Sequence, residues 1–350
     1  MVPRMAEKGK LNRWKKILTY FTLVALILLI IFSRKQLGST LRNLHDTNLW
    51  VLALLIPIEV INYLAQAKMY QETLKTLKQK LTTKFLFGFS LELNFISTIF
   101  PSGGLSAISY SSLRLRSKGV SAAQATLVQL IKLVIVFFSF LILLVVGLIA
   151  LAIGGQANEF MILIAGSLVT LLLIMTFAAI FIIGSEKRIN GVFTYLTKMI
   201  NKIIKIFRPK VSETISVERV RKLFTELHES YLLFRHDLGA LKWPFLWGLL
   251  ANVTEVTALY TVYVAFGHWP NPGGIIMAYA VANFAGFISV LPGGVGVYET
   301  LMTLILAGAG IPAALSIPVT LTYRVVNTVI QIIPGYALYQ HNLRKSNSQS

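Results

Sequence analysis

The sequence predicts an all-α polytopic membrane protein with inverted-topology repeats and two re-entrant broken hairpins. Of the 350 residues 55% are hydrophobic and only 13% charged. The apolar residues gather in several runs of about 17–25, each long enough to cross a hydrocarbon core of roughly 30 Å. The short alternating segments of a membrane barrel do not occur. Two stretches are also versions of each other. Pro101-Ser102-Gly103-Gly104 recurs as Pro292-Gly293-Gly294-Val295-Gly296, and Gly119-Val120-Ser121-Ala122-Ala123 as Gly310-Ile311-Pro312-Ala313-Ala314, both at an offset of 191. Broken hydrophobic segments at matching positions of two halves are the best sequence pointer to a transporter's binding site.

Apolar runs fall at about 17–32, 49–67, 85–100, 122–152, 160–183, 243–266, 275–291, 298–309 and 313–338. No small-residue cleavage site follows 17–32, so that run reads as a retained first helix. The segment before it carries Arg4, Lys8, Lys10, Arg13, Lys15 and Lys16, which by the positive-inside rule places the N-terminus in the cytoplasm. Arg34, Lys35 and Arg42 in the first outer loop run against that signal. Segments 68–84 and 184–242 are strongly basic as well, and three full crossings cannot join two segments on the same side. The count closes if 85–100 dips in, breaks at Pro101-Ser102-Gly103-Gly104 and returns. The break at Pro292-Gly293-Gly294 then forms a second hairpin, from outside, and the tail ends in the cytoplasm. The whole is one integral membrane domain: a first half over 17–183 with its hairpin near 85–121, a basic amphipathic connector over 184–242, and a second half over 243–340 with its hairpin near 275–312. Unwound backbone is tolerable at such breaks only where it lines a polar cavity or is buried in protein.

Ionisable residues inside apolar runs cost about 2.5–3.5 kcal/mol each on insertion scales, so each is a candidate for function. Glu59, Glu92, Glu255 and Glu299 are the acidic ones, with Lys132 and Arg324 as basic counterparts. Glu299 follows the second break where a helix would restart, a position where the dipole favours a carboxylate and free amides can hold a phosphate. Arg324 carries a permanent charge and a planar fork suited to phosphate or carboxylate; the expectation is an ion pair with Glu299 or Glu255. Lys132 is expected to snorkel to the cytoplasmic interface. Asn283 stands opposite Glu92 at the repeat offset.

The net charge of +19 would suggest nucleic acid in a soluble protein. Here the Lys and Arg lie between spans, which makes them a topology signal and a contact with anionic head groups. With no Cys, disulfides and thiolate metal sites are excluded, and the five His are scattered through loops and tails, which argues against a metal site. No metalloprotease, nucleophile-elbow or Walker motif occurs, so neither a cofactor nor enzymatic activity is expected.

At Pro292-Gly293-Gly294-Val295-Gly296-Val297-Tyr298-Glu299 and at Tyr323-Arg324 with Pro334, the sequence resembles the lysylphosphatidylglycerol synthase transmembrane-domain family. That family is the flippase part of the multiple peptide resistance factor. The upstream Pro-x-Gly-Gly with Arg114 and Gly119 supports the match, which spans roughly 15–340. The resemblance implies an inner-membrane protein that moves lipids between leaflets. Its substrate would be aminoacylated phosphatidylglycerol, and the outcome resistance to cationic peptides. No soluble aminoacyl-transferase domain follows the last span, so lipid synthesis is not expected and other lipids remain open as substrates. Matching positions give the Pro-Gly-Gly loop, Glu299, Arg324 and Arg114 as site residues.

The expectation is therefore a lipid flippase of the cytoplasmic membrane, both termini cytoplasmic. Its expected substrate-binding residues are Glu299, Arg324, Glu255, Arg114, Glu59, Glu92, Pro292, Gly293, Gly294, Pro101 and Gly103. The expected partners are membrane lipids with anionic phospholipid head groups and no nucleic acid, with a homo-oligomer left open. Two alternatives stand beside it: a membrane-embedded transferase or accessory subunit acting on a polyprenyl- or glycerol-linked lipid, and an ion or small-solute transporter.

Overall fold

The computed structural model describes residues 47–99, 105–207, 216–288 and 296–348, together with Gly38. Run 17–32 and both Pro-Gly breaks, with Pro101, Gly103, Pro292, Gly293 and Gly294, lie outside the described residues. Every regular element among the described residues is helical. In order they are α1 (Leu49–Ala53), α2 (Leu55–Thr76), α3 (Thr83–Ile99), α4 (Leu105–Arg116), α5 (Ala122–Ile153) and α6 (Glu159–Ile183). Then follow α7 (Glu186–Phe207), α8 (Val217–His236), α9 (Lys242–Ala265), α10 (Pro272–Ile288), α11 (Val297–Gly308) and α12 (Ala313–Ser348). Among the described residues five stretches are long and apolar enough to span a membrane: Leu49–Thr76, Ala122–Ile153, Glu159–Ile183, Leu238–Ala265 and Ala313–Arg344. The protein is an all-α polytopic membrane protein.

The repeated Gly-x-x-Ala-Ala sequence folds into the same turn twice. Gly119 (φ 84°) and Gly310 (φ 83°) both sit in the left-handed region, where a side chain would be strained. The Gly119 amide donates to the Arg116 carbonyl and the Val120 amide to that of Leu115. At the same offset, the Gly310 amide donates to Ala307 and the Ile311 amide to Leu306. This is how a glycine satisfies the last carbonyls of a short helix before the chain turns into the next. The long helices then begin at Ala122, under a Ser121–Gln124 capping box, and at Ala313.

Tertiary packing is reciprocal. α2 and α9 lie antiparallel, with the Asn48 amide bonded to the Ala265 carbonyl (2.9 Å) at one end and Met69 against Gly248 at the other. α3 packs on α12, and α10 packs on α5. Both of these contacts use glycine for close backbone approach. A Cβ at Gly335 would stand 2.7 Å from the Leu91 carbonyl, and one at Gly273 would collide with the Gly147 carbonyl.

Cross-links at the helix ends define two faces. On one, Asn158 bonds the Gly308 carbonyl (2.8 Å) and Asn271 bonds that of Ala150 (3.2 Å). The start of α10, the end of α11, the α5–α6 turn and the end of α9 therefore share that face, and among the described residues their turns hold no Lys or Arg. On the other, Gln79 bonds Gln124 (3.1 Å) and Lys118 lies over the Phe85 ring. Here the α2–α3 turn, the end of α4 and the start of α5 meet α7 and α8, with Leu77, Leu86, Leu115, Ile189 and Leu227 in one buried cluster. This face carries Lys75, Lys78, Lys80, Lys84, Arg116, Lys118, Lys187 and Arg188. The helix pair α3–α4 thus has its outer ends on the basic face, and α10–α11 has them on the opposite face. α6 is peripheral: it buries one stripe (Met161, Ala165, Leu168, Leu172, Thr176) and turns Ile162, Leu163, Ile174, Phe177 and Phe181 outward.

Candidate functional site

Among the described residues three constellations of charged side chains lie inside this bundle. The first joins α3, α4 and α12. Glu92, nine residues in from Thr83 and so about 14 Å along the helix from the basic face, is 1% exposed. Arg114 grips it with Nε on Oε2 (2.8 Å) and Nη2 on Oε1 (3.5 Å). The Tyr110 hydroxyl donates to Oε2 (2.5 Å), and Asn342 donates to Oε1. Arg114 also stacks over Phe85, 4.8 Å from its centroid. It sits in the last turn of α4, where a cation suits the dipole.

The second constellation joins α11 and α12. Glu299 lies nine residues before Gly308, a depth from the opposite face that matches Glu92's from the basic one. From position N3 of α11 its Oε2 accepts from the Gly296 amide (2.7 Å), which ties the carboxylate to the helix start. Gly296 (φ 89°) needs the left-handed conformation that only glycine takes freely. Arg324 Nη1 donates to Glu299 Oε1, and its guanidinium lies 4.8 Å from the Tyr298 centroid. Of the two acids expected to pair with Arg324, the structure selects Glu299. Both members are 15% exposed.

The third constellation is a polar layer at mid-depth on α2, α9 and α12. Glu59 stands ten residues from the start of α1, and Glu255 ten from the end of α9. Antiparallel packing therefore brings them to the same level. Glu255 Oε2 accepts from the Tyr323 hydroxyl (2.7 Å) and from Asn327 (3.3 Å), and Gln331 donates to Glu59 Oε2 (3.5 Å). The layer continues toward the basic face, where Asn62 bonds the Ala251 carbonyl (2.8 Å) and Thr254 (2.9 Å), Gln66 bonds Asn62 (2.6 Å) and Lys132 bonds Gln66 (3.3 Å). Lys132 also lies over the Tyr70 ring, so it turns into the bundle instead of snorkelling to the interface. The reason is local: Gln66 and Tyr70 offer an oxygen and a π-face within reach of its ammonium.

Glu299 and Arg324 are thus brought together, as are Glu92 and Arg114, and Glu59 and Glu255 share a layer. Asn283 does not mirror Glu92: it bonds the Tyr279 carbonyl one turn away (2.9 Å). Tyr110, Asn342, Asn327 and Gln331 escaped the sequence reading, although Tyr323-Asn327-Gln331 recurs every four residues along an apolar helix and so marks a polar stripe.

Paired charges inside a bundle of apolar helices define a helical membrane protein with a polar interior. The chain belongs to a known family of this class. The profile of the lysylphosphatidylglycerol synthase TM region matches residues 17–335. Among similar proteins, a UPF0104 membrane protein of Methanothermobacter thermautotrophicus is 32% identical over 83 residues, 24% of this chain and 25% of that protein. UPF0104 membrane protein PH1989 of Pyrococcus horikoshii is 22% identical over 195 residues, 56% of this chain and 58% of that protein. With UPF0104 membrane protein MJ1595 of Methanocaldococcus jannaschii the likeness is 23% over 318 residues, 89% of this chain and 90% of the other. The chain spans a quarter and somewhat over half of the first two relatives' length.

Proposed function

We propose that the protein is a lipid flippase, moving phospholipid between the leaflets of the cytoplasmic membrane through its polar interior. The observation that carries this reading is the Glu299–Arg324 pair, set at mid-depth where α11 begins and equally open on both members. An Arg fork paired with a carboxylate can exchange that partner for a lipid phosphate, because both present oxygens in bidentate geometry. Two helix pairs with outer ends on opposite faces, and a reciprocal packing of α3 on α12 and α10 on α5, are what an inverted repeat with two re-entrant hairpins requires. In this reading the basic face is cytoplasmic, and α7, with Lys198 and Lys202, rests against anionic head groups. Aminoacylated phosphatidylglycerol is the substrate that the family's description suggests. No step makes or breaks a covalent bond.

The test is transbilayer movement of head-group-labelled phospholipids in proteoliposomes holding the full chain. Faster translocation than in empty vesicles, lost in folded Glu299→Gln and Arg324→Ala variants, is the expected result. If no lipid in an anionic, aminoacylated and glycosylated panel moves faster than in protein-free vesicles, the flippase reading fails.

A further inference from the structure

The Glu59–Glu255 layer differs from the two ion pairs in having no counter-ion among the described residues. Among the described residues neither carboxylate has a Lys or Arg within salt-bridge distance. Arg324, next to Tyr323 on α12, is turned to Glu299 instead. Lys132 reaches the layer at Gln66, seven positions along α2 from Glu59, which is about 10 Å of helix. The donors that do face the two acids are uncharged: the Tyr323 hydroxyl, Asn327 Nδ2 and Gln331 Nε2. The other titratable groups around them are phenols, namely Tyr63 on α2, Tyr279 on α10 and Tyr298 on α11.

Two acceptor oxygens in the layer are left over. Glu59 Oε1 and Asn327 Oδ1 are both buried and have no hydrogen-bond partner, and the side chains that carry them are 2% and 7% exposed. Buried acceptors without donors are rare, and each calls for a missing partner. A water molecule could supply donors but not charge, and two carboxylates near the centre of a bilayer need a positive one. Ligation by two acids and an amide oxygen is too sparse for a divalent ion, which takes six or more oxygens. It suits a unit charge.

We propose that Glu59, Glu255 and Asn327 form a binding site for one monovalent cation, a proton or Na+, and that its occupancy is coupled to lipid movement. Asn327 is central because its amide serves both sides, donating to Glu255 and offering Oδ1 to the cation. Coupling runs through α12. Tyr323 and Asn327 face the acids, whereas Arg324, between them in sequence, faces Glu299. A small rotation of this one helix on cation binding changes both sites together. The coupling rests on the flippase reading; the cation site does not.

The experiment is arranged to separate the two. The full-length protein in detergent is unfolded by heat at fixed pH while NaCl replaces choline chloride at constant ionic strength, and separately across pH in choline alone. A ligand bound only by the folded state raises the midpoint, by about 3 °C or more well above its dissociation constant. The expected result is a saturable rise with Na+, or a rise as pH falls, in wild type and not in Glu59→Gln; Glu255→Gln serves if that variant does not fold. A response to Na+ identifies Na+, and a response to pH alone identifies the proton. A midpoint indifferent to both cations, or one that responds equally in the variant, overturns the site. Proteoliposomes then receive a gradient of the identified cation, and translocation is expected to quicken threefold or more. Lipid movement that ignores the gradient overturns the coupling. A cation-dependent midpoint in a protein that moves no lipid leaves the site standing and fails the flippase reading instead.

Discussion

The two Glu–Arg pairs lie at like depths in helix pairs of opposite sense, yet they are built differently. Glu92 is sealed at 1% exposure and receives Arg114, Tyr110 and Asn342. Glu299 is 15% exposed, like its partner Arg324, and is held from behind by a backbone amide at a helix start. Nor are the pairs copies: at the repeat offset of 191, Glu92 corresponds to Asn283 and Glu299 to Ile108. A saturated acid gains nothing by exchanging partners, so the first pair is suited to tie α3 to α4 and α12. Under the flippase proposal, the more exposed carboxylate, Glu299, is the one that trades places with an incoming anion, so the first pair acts as a clasp and the second as a receptor.

Removing the arginine from each pair is the sharpest way to break that contrast. Arg324→Ala should lower lipid translocation at least 100-fold while the protein stays folded. Arg324→Lys should recover only a minor part, because an ammonium cannot grip two oxygens in a plane. Parallel flux and size-exclusion measurements decide this, and an Arg324→Ala protein that moves lipid at the wild-type rate would sink the receptor role. Arg114→Ala should do the reverse. Leaving Glu92 buried without its cation costs about 3–5 kcal/mol, read as a large fall in the unfolding midpoint, while the protein that remains folded retains translocation within about threefold.

A milder cut sharpens the clasp. Tyr110→Phe removes one donor to a buried charged acceptor, a loss of about 1.5–3 kcal/mol, with flux unchanged. Equal stabilities of Tyr110→Phe and wild type would show that Glu92 does not need its third donor.

Much of this was legible in the sequence, and the part that was not has a physical reason. The runs read at 122–152, 160–183, 243–266 and 298–309 became helices over Ala122–Ile153, Glu159–Ile183, Lys242–Ala265 and Val297–Gly308. Hydrocarbon thickness and glycine turns are local constraints, and local constraints show in a sequence. The last run was read to 338, but α12 continues as helix to Ser348, since its polar end is held by packing on α3, where Asn342 meets Glu92. That contact joins residues 250 positions apart, and no local pattern announces it. Arg324 showed the same limit. Its charge marked it as paired, but the choice of Glu299 over Glu255 follows from which helix face turns where.

The smallest effect tests the receptor side. Arg324 lies over the face of Tyr298, which both attracts the guanidinium and fixes its plane. If the pair opens to a phosphate, Arg324 must keep its orientation while Glu299 lets go, and the ring is a contact that survives the exchange. Tyr298→Leu keeps the apolar contact and removes the π-face, worth about 0.5–2 kcal/mol. Translocation should then fall by only about 2- to 30-fold, as the apparent affinity for lipid weakens. Titrating labelled lipid in proteoliposomes separates this from damage to the fold: the half-saturating lipid fraction should rise while the maximal rate holds. A fall in maximal rate at unchanged half-saturation would mean that the ring serves the movement of α11 and not the posture of Arg324. The second pair would then be a clasp like the first.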